Sequence, residues 1–184
     1  MAKVGIYGGS FNPVHFGHVG LAQWVIEHTD LDELWLMVSP NNPLKPAGLL
    51  APEQERLAAV REAVKDIPHV RVSDFEFSLP RPSYTANTLR ELQRAYPEHE
   101  FTLVIGEDNL AIFTQWREYE FILKNFRIFV YPRKCKGERL EVSGEREISN
   151  LKSQIANIKE LRFLSNAPLF DISSTAIRSA RGRA

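Results

Sequence analysis

Apolar residues fall along this chain in two alternating patterns: short continuous runs, and longer stretches with a three-to-four-residue beat. The runs Lys3–Tyr7, Leu34–Val38, Val70–Val72, Phe101–Ile105, Ile128–Tyr131 and Leu161–Leu164 read as strands. Leu34–Val38 is continuous in apolar character, as expected of a parallel strand covered on both faces. After the first run, Leu21, Ala22, Val25 and Ile26 mark one face of a helix that ends near Thr29. Leu57, Val60, Ala63 and Val64 do the same for a helix over Pro52–Lys65, where proline is tolerated in the first turn. A further helix follows Ser83, whose hydroxyl is placed as its N-cap, and Phe121–Phe126 closes another. Pro40–Pro46 holds three prolines and two asparagines, so it is a loop. Pro132–Asn150 is highly charged, lacks apolar periodicity and reads as a mobile surface loop. Strand and helix alternate from start to end, which predicts an α/β fold: a doubly wound parallel sheet of five or six strands with right-handed crossovers. At 184 residues the chain fits a single domain, 1–184.

Composition narrows the function less than the pattern does. Apolar residues make up 43% and charged residues 25%, with 23 Lys and Arg against 23 Asp and Glu. That balance gives no overall attraction to nucleic acid or an anionic membrane, so any phosphate site must be local. Cys135 is the only cysteine, which excludes an intrachain disulfide. Flanked by Arg133, Lys134 and Lys136, it reads as a surface thiol without a role, and the basic cluster that also includes Arg139 reads as a solvated face. No apolar run approaches the ~20 residues of a membrane span, and the expected compartment is cytoplasmic.

The chemistry concentrates in Gly8-Gly9-Ser10-Phe11-Asn12-Pro13-Val14-His15-Phe16-Gly17-His18. This is a strand-to-helix turn. Glycines let the backbone approach a ligand, and the helix that follows offers free N–H groups and a partial positive charge. His15 and His18, three residues apart, place two imidazoles on the ligand side of that turn. Such a pair on a glycine turn calls for an anion.

These residues resemble the first signature of the HIGH-type nucleotidyltransferases, with His15-Phe16-Gly17-His18 matching the family's H-x-G-H. Ile172-Ser173-Ser174-Thr175-Ala176-Ile177-Arg178 is similar to the I-S-S-T-x-I-R motif of the adenylyltransferase branch. The resemblance implies a Rossmann-like nucleotidyltransferase fold. It also implies ATP contacts from Gly8, Gly9, Ser10, Phe11, Ser173, Ser174 and Thr175, with His15, His18, Lys45 and Arg178 as the catalytic set. Gly106 and Asp108, in a G-x-D-x-L turn after a strand, are further candidates for the ATP site, where the Asp108 carboxylate can accept from ribose hydroxyls or serve as an ordinary helix N-cap. Lys45 stands in the loop where the branch often carries P-P-H-K, with Leu44 replacing the histidine. Asn12 stands where the signature usually has aspartate, which retains an acceptor but loses a charge. The chain ends six residues after Arg178, where members of the family usually continue into a further helical segment.

Two middle segments resemble the bacterial nicotinate-nucleotide adenylyltransferases more narrowly. Pro82-Ser83-Tyr84-Thr85 through Leu89 is similar to a segment that borders the pyridine site, and Phe113 through Tyr119 to one whose tryptophan stacks on the ring. The resemblance implies that Thr85 and Trp116 bind the mononucleotide; Asn41, in a loop leaving the C-terminal end of a strand, reads equally as a substrate contact or as surface. The activity expected from it is adenylyl transfer from ATP to nicotinate mononucleotide, giving deamido-NAD and pyrophosphate. Mg2+ would enter as the ATP complex, since no carboxylate cluster offers protein ligands. The partners expected are therefore ATP and nicotinate mononucleotide, with no nucleic acid or membrane, and a homo-oligomer is left open. Nicotinamide mononucleotide, phosphopantetheine and a nucleotide sensor without turnover stay open as alternatives.

Overall fold

The computed structural model describes residues 1–40, 50–133, 144–170 and 177. Among the described residues six strands form one sheet: β1 (Ala2–Gly9), β2 (Glu33–Val38), β3 (Val70–Ser73), β4 (His99–Gly106), β5 (Arg127–Tyr131) and β6 (Glu160–Phe163). Their order is β3-β2-β1-β4-β5-β6 and every neighbouring pair is parallel. The connection reverses direction between β1 and β4. In sheets of this kind ligands collect beyond the strand C-termini at that reversal, where the crossovers on either side diverge. The six-strand doubly wound sheet agrees with the sequence pattern.

The strands bury both faces. Val4, Ile6, Met37, Leu103, Ile105, Ile128 and Val130 meet Leu89 and Leu92 of α3 (Thr85–Ala95), Ile122 and Leu123 of α5 (Tyr119–Asn125), and Ile148 and Leu151 of α6 (Gly144–Gln154). On the other face Tyr7, Leu34, Leu36, Val104 and Phe129 pack against Leu21, Ala22 and Val25 of α1 (Phe16–His28) and Leu57, Val60 and Val64 of α2 (Glu53–Val64). A short α4 spans Glu107–Leu110. Among the described residues no helix is long and apolar enough to cross a membrane.

Three local expectations are corrected. β1 runs through Gly9, with Gly8 opposite Met37 and Gly9 opposite Val38, so the glycines end the strand and the turn proper begins at Ser10. Residues 144–150 are not loop but the start of α6, whose first N–H is bonded by the Glu107 carboxylate. The apolar signal there is Ile148, Leu151 and Ile155, a helical spacing that a window ending at 150 cuts in half. Finally, α3 starts at Thr85 with Tyr84 as the residue before it and no side-chain cap, so Ser83 is not its N-cap. Its hydroxyl lies too far back to reach the second or third helical N–H. It is buried instead, with Oγ lacking a partner.

Candidate active site

A cleft of about 610 Å³ opens at the C-terminal ends of β1 and β4, a size typical of small-ligand sites. Gly8, Gly9, Ser10 and Phe11 line it on one side, with Gly106 and Asp108 beside them. A Cβ on Gly8 would meet nothing within 4 Å, so this strand end is open to the cleft. Gly106 answers a different need: a Cβ there would collide with the Asp108 carboxylate and stand 3.2 Å from the Tyr131 ring. Phe11 takes a left-handed φ of 45° and sends its buried ring under Gly9 and edge-on to His18, centroids 5.0 Å apart.

α1 begins with the two histidines. His15 is its cap residue, and its backbone N–H donates to His18 Nδ1 at 3.2 Å. That bond makes Nδ1 an acceptor and leaves the His18 proton on Nε2, a donor. The rings stack with centroids 3.7 Å apart. Both ring nitrogens of His15 are buried without a hydrogen-bond partner. Burial, then the nearby Arg133 charge, holds the His15 pKa down to about 4 from the ordinary 6.5. Neutral imidazoles can stack where two imidazolium rings would repel, and orphaned ring nitrogens fit a site built for polar oxygens. His18 lines the main cleft, while His15 lines a small adjoining recess with Arg133 and Phe170.

Arg133 corrects the solvated-face reading. It is the second residue past β5, it lines both the cleft and the recess, and its Nη1 donates to Asp108 Oδ2 at 3.2 Å. The other Asp108 oxygen is buried without a partner. Asp108 lies within α4, after Gly106, so it is not the helix cap. Arg133's position just beyond a parallel strand was the available signal, because strand C-termini are where this fold gathers ligand groups.

The other end of the cleft joins residues distant in sequence. Thr85 comes from the first turn of α3 and Trp116 from the end of the 3-10 turn Phe113–Gln115. Trp116 leans on the core through Phe113, centroids 5.1 Å apart, and its Nε1 is buried without a partner. Arg117, absent from the sequence reading, lines the same wall and lies over the Tyr84 ring at 5.0 Å. Glu76 is buried there with Thr88 Oγ1 donating to its Oε1 at 2.7 Å, and burial raises its pKa. Asn12 Oδ1 accepts from the Ala51 N–H at 3.1 Å, a bond that an aspartate would also make. Asn41, Lys45, Cys135, Ser173, Ser174, Thr175 and Arg178 lie outside the described residues. Phe170, just before the second signature, packs against Gly17 and Gly20 of α1 and edge-on to Phe16. The chain thus returns to the helix that carries the first signature.

A glycine strand end, a histidine pair and an acidic β4 turn at the reversal point of a 3-2-1-4-5-6 sheet define a nucleotidyltransferase of the Rossmann-like type. The chain belongs to the cytidylyltransferase-like family, whose profile matches residues 6–180. Within that family it is 44% identical over 178 residues to a probable nicotinate-nucleotide adenylyltransferase of Flavobacterium johnsoniae, covering 97% of this chain and 86% of that protein. The probable nicotinate-nucleotide adenylyltransferase of Bacteroides thetaiotaomicron is 46% identical over 178 residues, covering 97% and 81%. Among solved structures, a nicotinic acid mononucleotide adenylyltransferase of Plasmodium falciparum complexed with NaAD shares the fold at a TM-score of 0.76 and 16% identity, over 97% of this chain and 83% of that one. A putative nicotinate-nucleotide adenylyltransferase of Vibrio parahaemolyticus aligns at a TM-score of 0.59 and 25% identity, over 82% and 86%.

Proposed function

We infer that this enzyme transfers the adenylyl group of ATP to nicotinate mononucleotide, giving deamido-NAD and pyrophosphate in NAD biosynthesis. One observation carries the reading: Thr85 and Trp116 line the same cleft as the glycine strand end and His18. That shared lining supports a pyridine end and a triphosphate end of one space. The relatives' names agree with it along nearly the whole chain.

The reaction is an in-line displacement. A phosphate oxygen of the mononucleotide forms a bond to the α-phosphorus of ATP as the bond from that phosphorus to the β-bridging oxygen breaks, and pyrophosphate leaves with the electron pair. The attacking phosphate is already ionised at neutral pH, so no general base is needed and catalysis rests on alignment and charge stabilisation. ATP enters as its magnesium complex, with the ion's ligands drawn from phosphate and water. His18 donates from Nε2 and His15 from its neutral ring to oxygens that gain charge as pyrophosphate departs. Arg133 adds a cation, and Lys45, Arg178, Ser173, Ser174 and Thr175 complete the phosphate contacts. Asp108 accepts from a ribose hydroxyl. Trp116 stacks on the pyridine ring, Thr85 and Asn41 hold the mononucleotide, and the Arg117 charge favours the acid over the amide.

Pyrophosphate release with MgATP, comparing nicotinate mononucleotide with its amide, tests this directly. The expected result is a kcat/KM at least about tenfold higher for the acid, the discrimination one well-placed charge contact supplies. Equal rates would overturn the nicotinate assignment. Release with neither would overturn the activity.

A further inference from the structure

Arg56 is 3% exposed on the core side of α2, an unusual place for a guanidinium. Glu53, the acid whose charge it feels, is bonded to Arg81 at 3.0 Å. The side chain is satisfied by backbone instead. Nη1 donates to Ser10 O at 2.7 Å and Ser39 O at 2.8 Å, Nη2 to Pro40 O at 3.2 Å, and Nε to Ala51 O at 2.9 Å. Burial lowers its pKa, and a hydrophobe of similar length would avoid that penalty. What a hydrophobe could not do is join these carbonyls.

They belong to three places in the chain. Ser10 opens the turn after β1, Ser39 and Pro40 follow β2, and Ala51 precedes α2. Asn12 fastens the same joint from the other side by accepting the Ala51 N–H, and the Ser39 N–H donates to Gly9 O at 2.9 Å. The end of β2 and the start of α2 are therefore both tied to the turn at Ser10.

We propose that Arg56, with Asn12 as a second fastening, is a positioning residue for adenylyl transfer: it holds the cleft-lining turn at Ser10 in register with the end of β2 and the start of α2. The inference rests on the proposed activity. A guanidinium fork reaches several carbonyls at fixed angles, whereas an ammonium is a single point that satisfies only some of them. Arg56→Lys thus keeps the charge and loosens the joint.

The test compares the full chain with Arg56→Lys, Arg56→Met and Asn12→Ala by pyrophosphate release, thermal melting and amide hydrogen exchange. In folded Arg56→Lys, kcat should fall about 30-fold while both KM values stay within about threefold, the signature of lost alignment rather than lost binding. The Ser39 and Ala51 amides should exchange about tenfold faster, with Leu103 and Val104 in β4 unchanged. Arg56→Met should fall further in kcat. A folded Arg56→Lys with kcat within threefold of the parent, or with unchanged Ser39 and Ala51 exchange, overturns the proposal. Should neither Arg56 variant fold, Asn12→Ala decides: faster Ala51 exchange with lower kcat supports it, and no change in either refutes it. A parent chain that releases no pyrophosphate refutes the activity, and exchange at Ser39 and Ala51 then decides the role of Arg56 alone.

Discussion

Gly17 lies between the two histidines on the first turn of α1, and replacing it with alanine should separate stability from catalysis. The added Cβ would stand 3.0 Å from Phe170 Cβ and 3.1 Å from His15 Cε1 and Nδ1. Comfortable carbon contacts begin near 3.5 Å, so about half an ångström must be found. Phe170 Cβ follows its backbone, and the His15 ring is stacked on His18, so the displacement falls partly on the imidazole. Alanine favours a helix over glycine by about 1 kcal/mol, and overpacking costs about 1–3 kcal/mol. These largely cancel, leaving a net destabilisation of at most about 2 kcal/mol and a melting shift of a few degrees. Catalysis has no such offset. If a misplacement of about 1 Å costs about a hundredfold, half of it costs about tenfold in kcat, or roughly 1.4 kcal/mol. Pyrophosphate release at saturating MgATP and nicotinate mononucleotide, read beside a melting curve, measures both. A folded Gly17→Ala with kcat within twofold of the parent would refute the argument, because the His15 ring would then not need the position it holds.

Two further outcomes follow from groups at opposite ends of the sheet. Because His15 is held at about 4 against an ordinary 6.5, the unfolded chain takes up its proton first; the stability this neutral ring contributes is present above about pH 6.5 and declines as pH falls toward 4. An imidazole titration by NMR should place its midpoint near 4, and His15→Gln should narrow the difference in denaturation midpoint between pH 7 and 5; a midpoint near 6.5 would refute the burial argument. At the start of β5, Arg127 is buried between Asp30, at 2.8 and 3.0 Å, and Glu160 at 2.7 Å, and it holds the Asp30 carboxyl at about 2. Arg127→Met should cost about 2–3 kcal/mol in urea unfolding, below a fully buried pair because both acids are partly exposed. The folded fraction should keep its kcat within about twofold, since strand N-termini lie away from the cleft.

Much of the site was legible because it is contiguous. Gly8 to His18 spans one strand end, one turn and one helix start, so spacing alone places two imidazoles beside a glycine-rich turn. Thr85, Asp108 and Trp116 were legible one at a time through their local motifs. Arg133 was misread because its neighbours in sequence are basic, whereas its neighbours in space are Asp108 and His15. Arg56 left a fainter trace, a charged residue four positions before Val60 on the buried face of its helix.

By itself the sequence determined the order and kind of the strands and of the helices up to Phe126 other than the short α4, since apolar periodicity and turn chemistry act within a few residues. It also determined which residue types stand at the strand ends. Strand order, the reversal between β1 and β4, and the meeting of Thr85 and Trp116 with the glycine strand end were decided only by the tertiary structure. So were the depressed His15 pKa and the Arg56 joint, whose Arg56–Ser10 bond spans 46 positions. Burial and long-range hydrogen bonds depend on which surfaces come together, and local spacing carries no record of that.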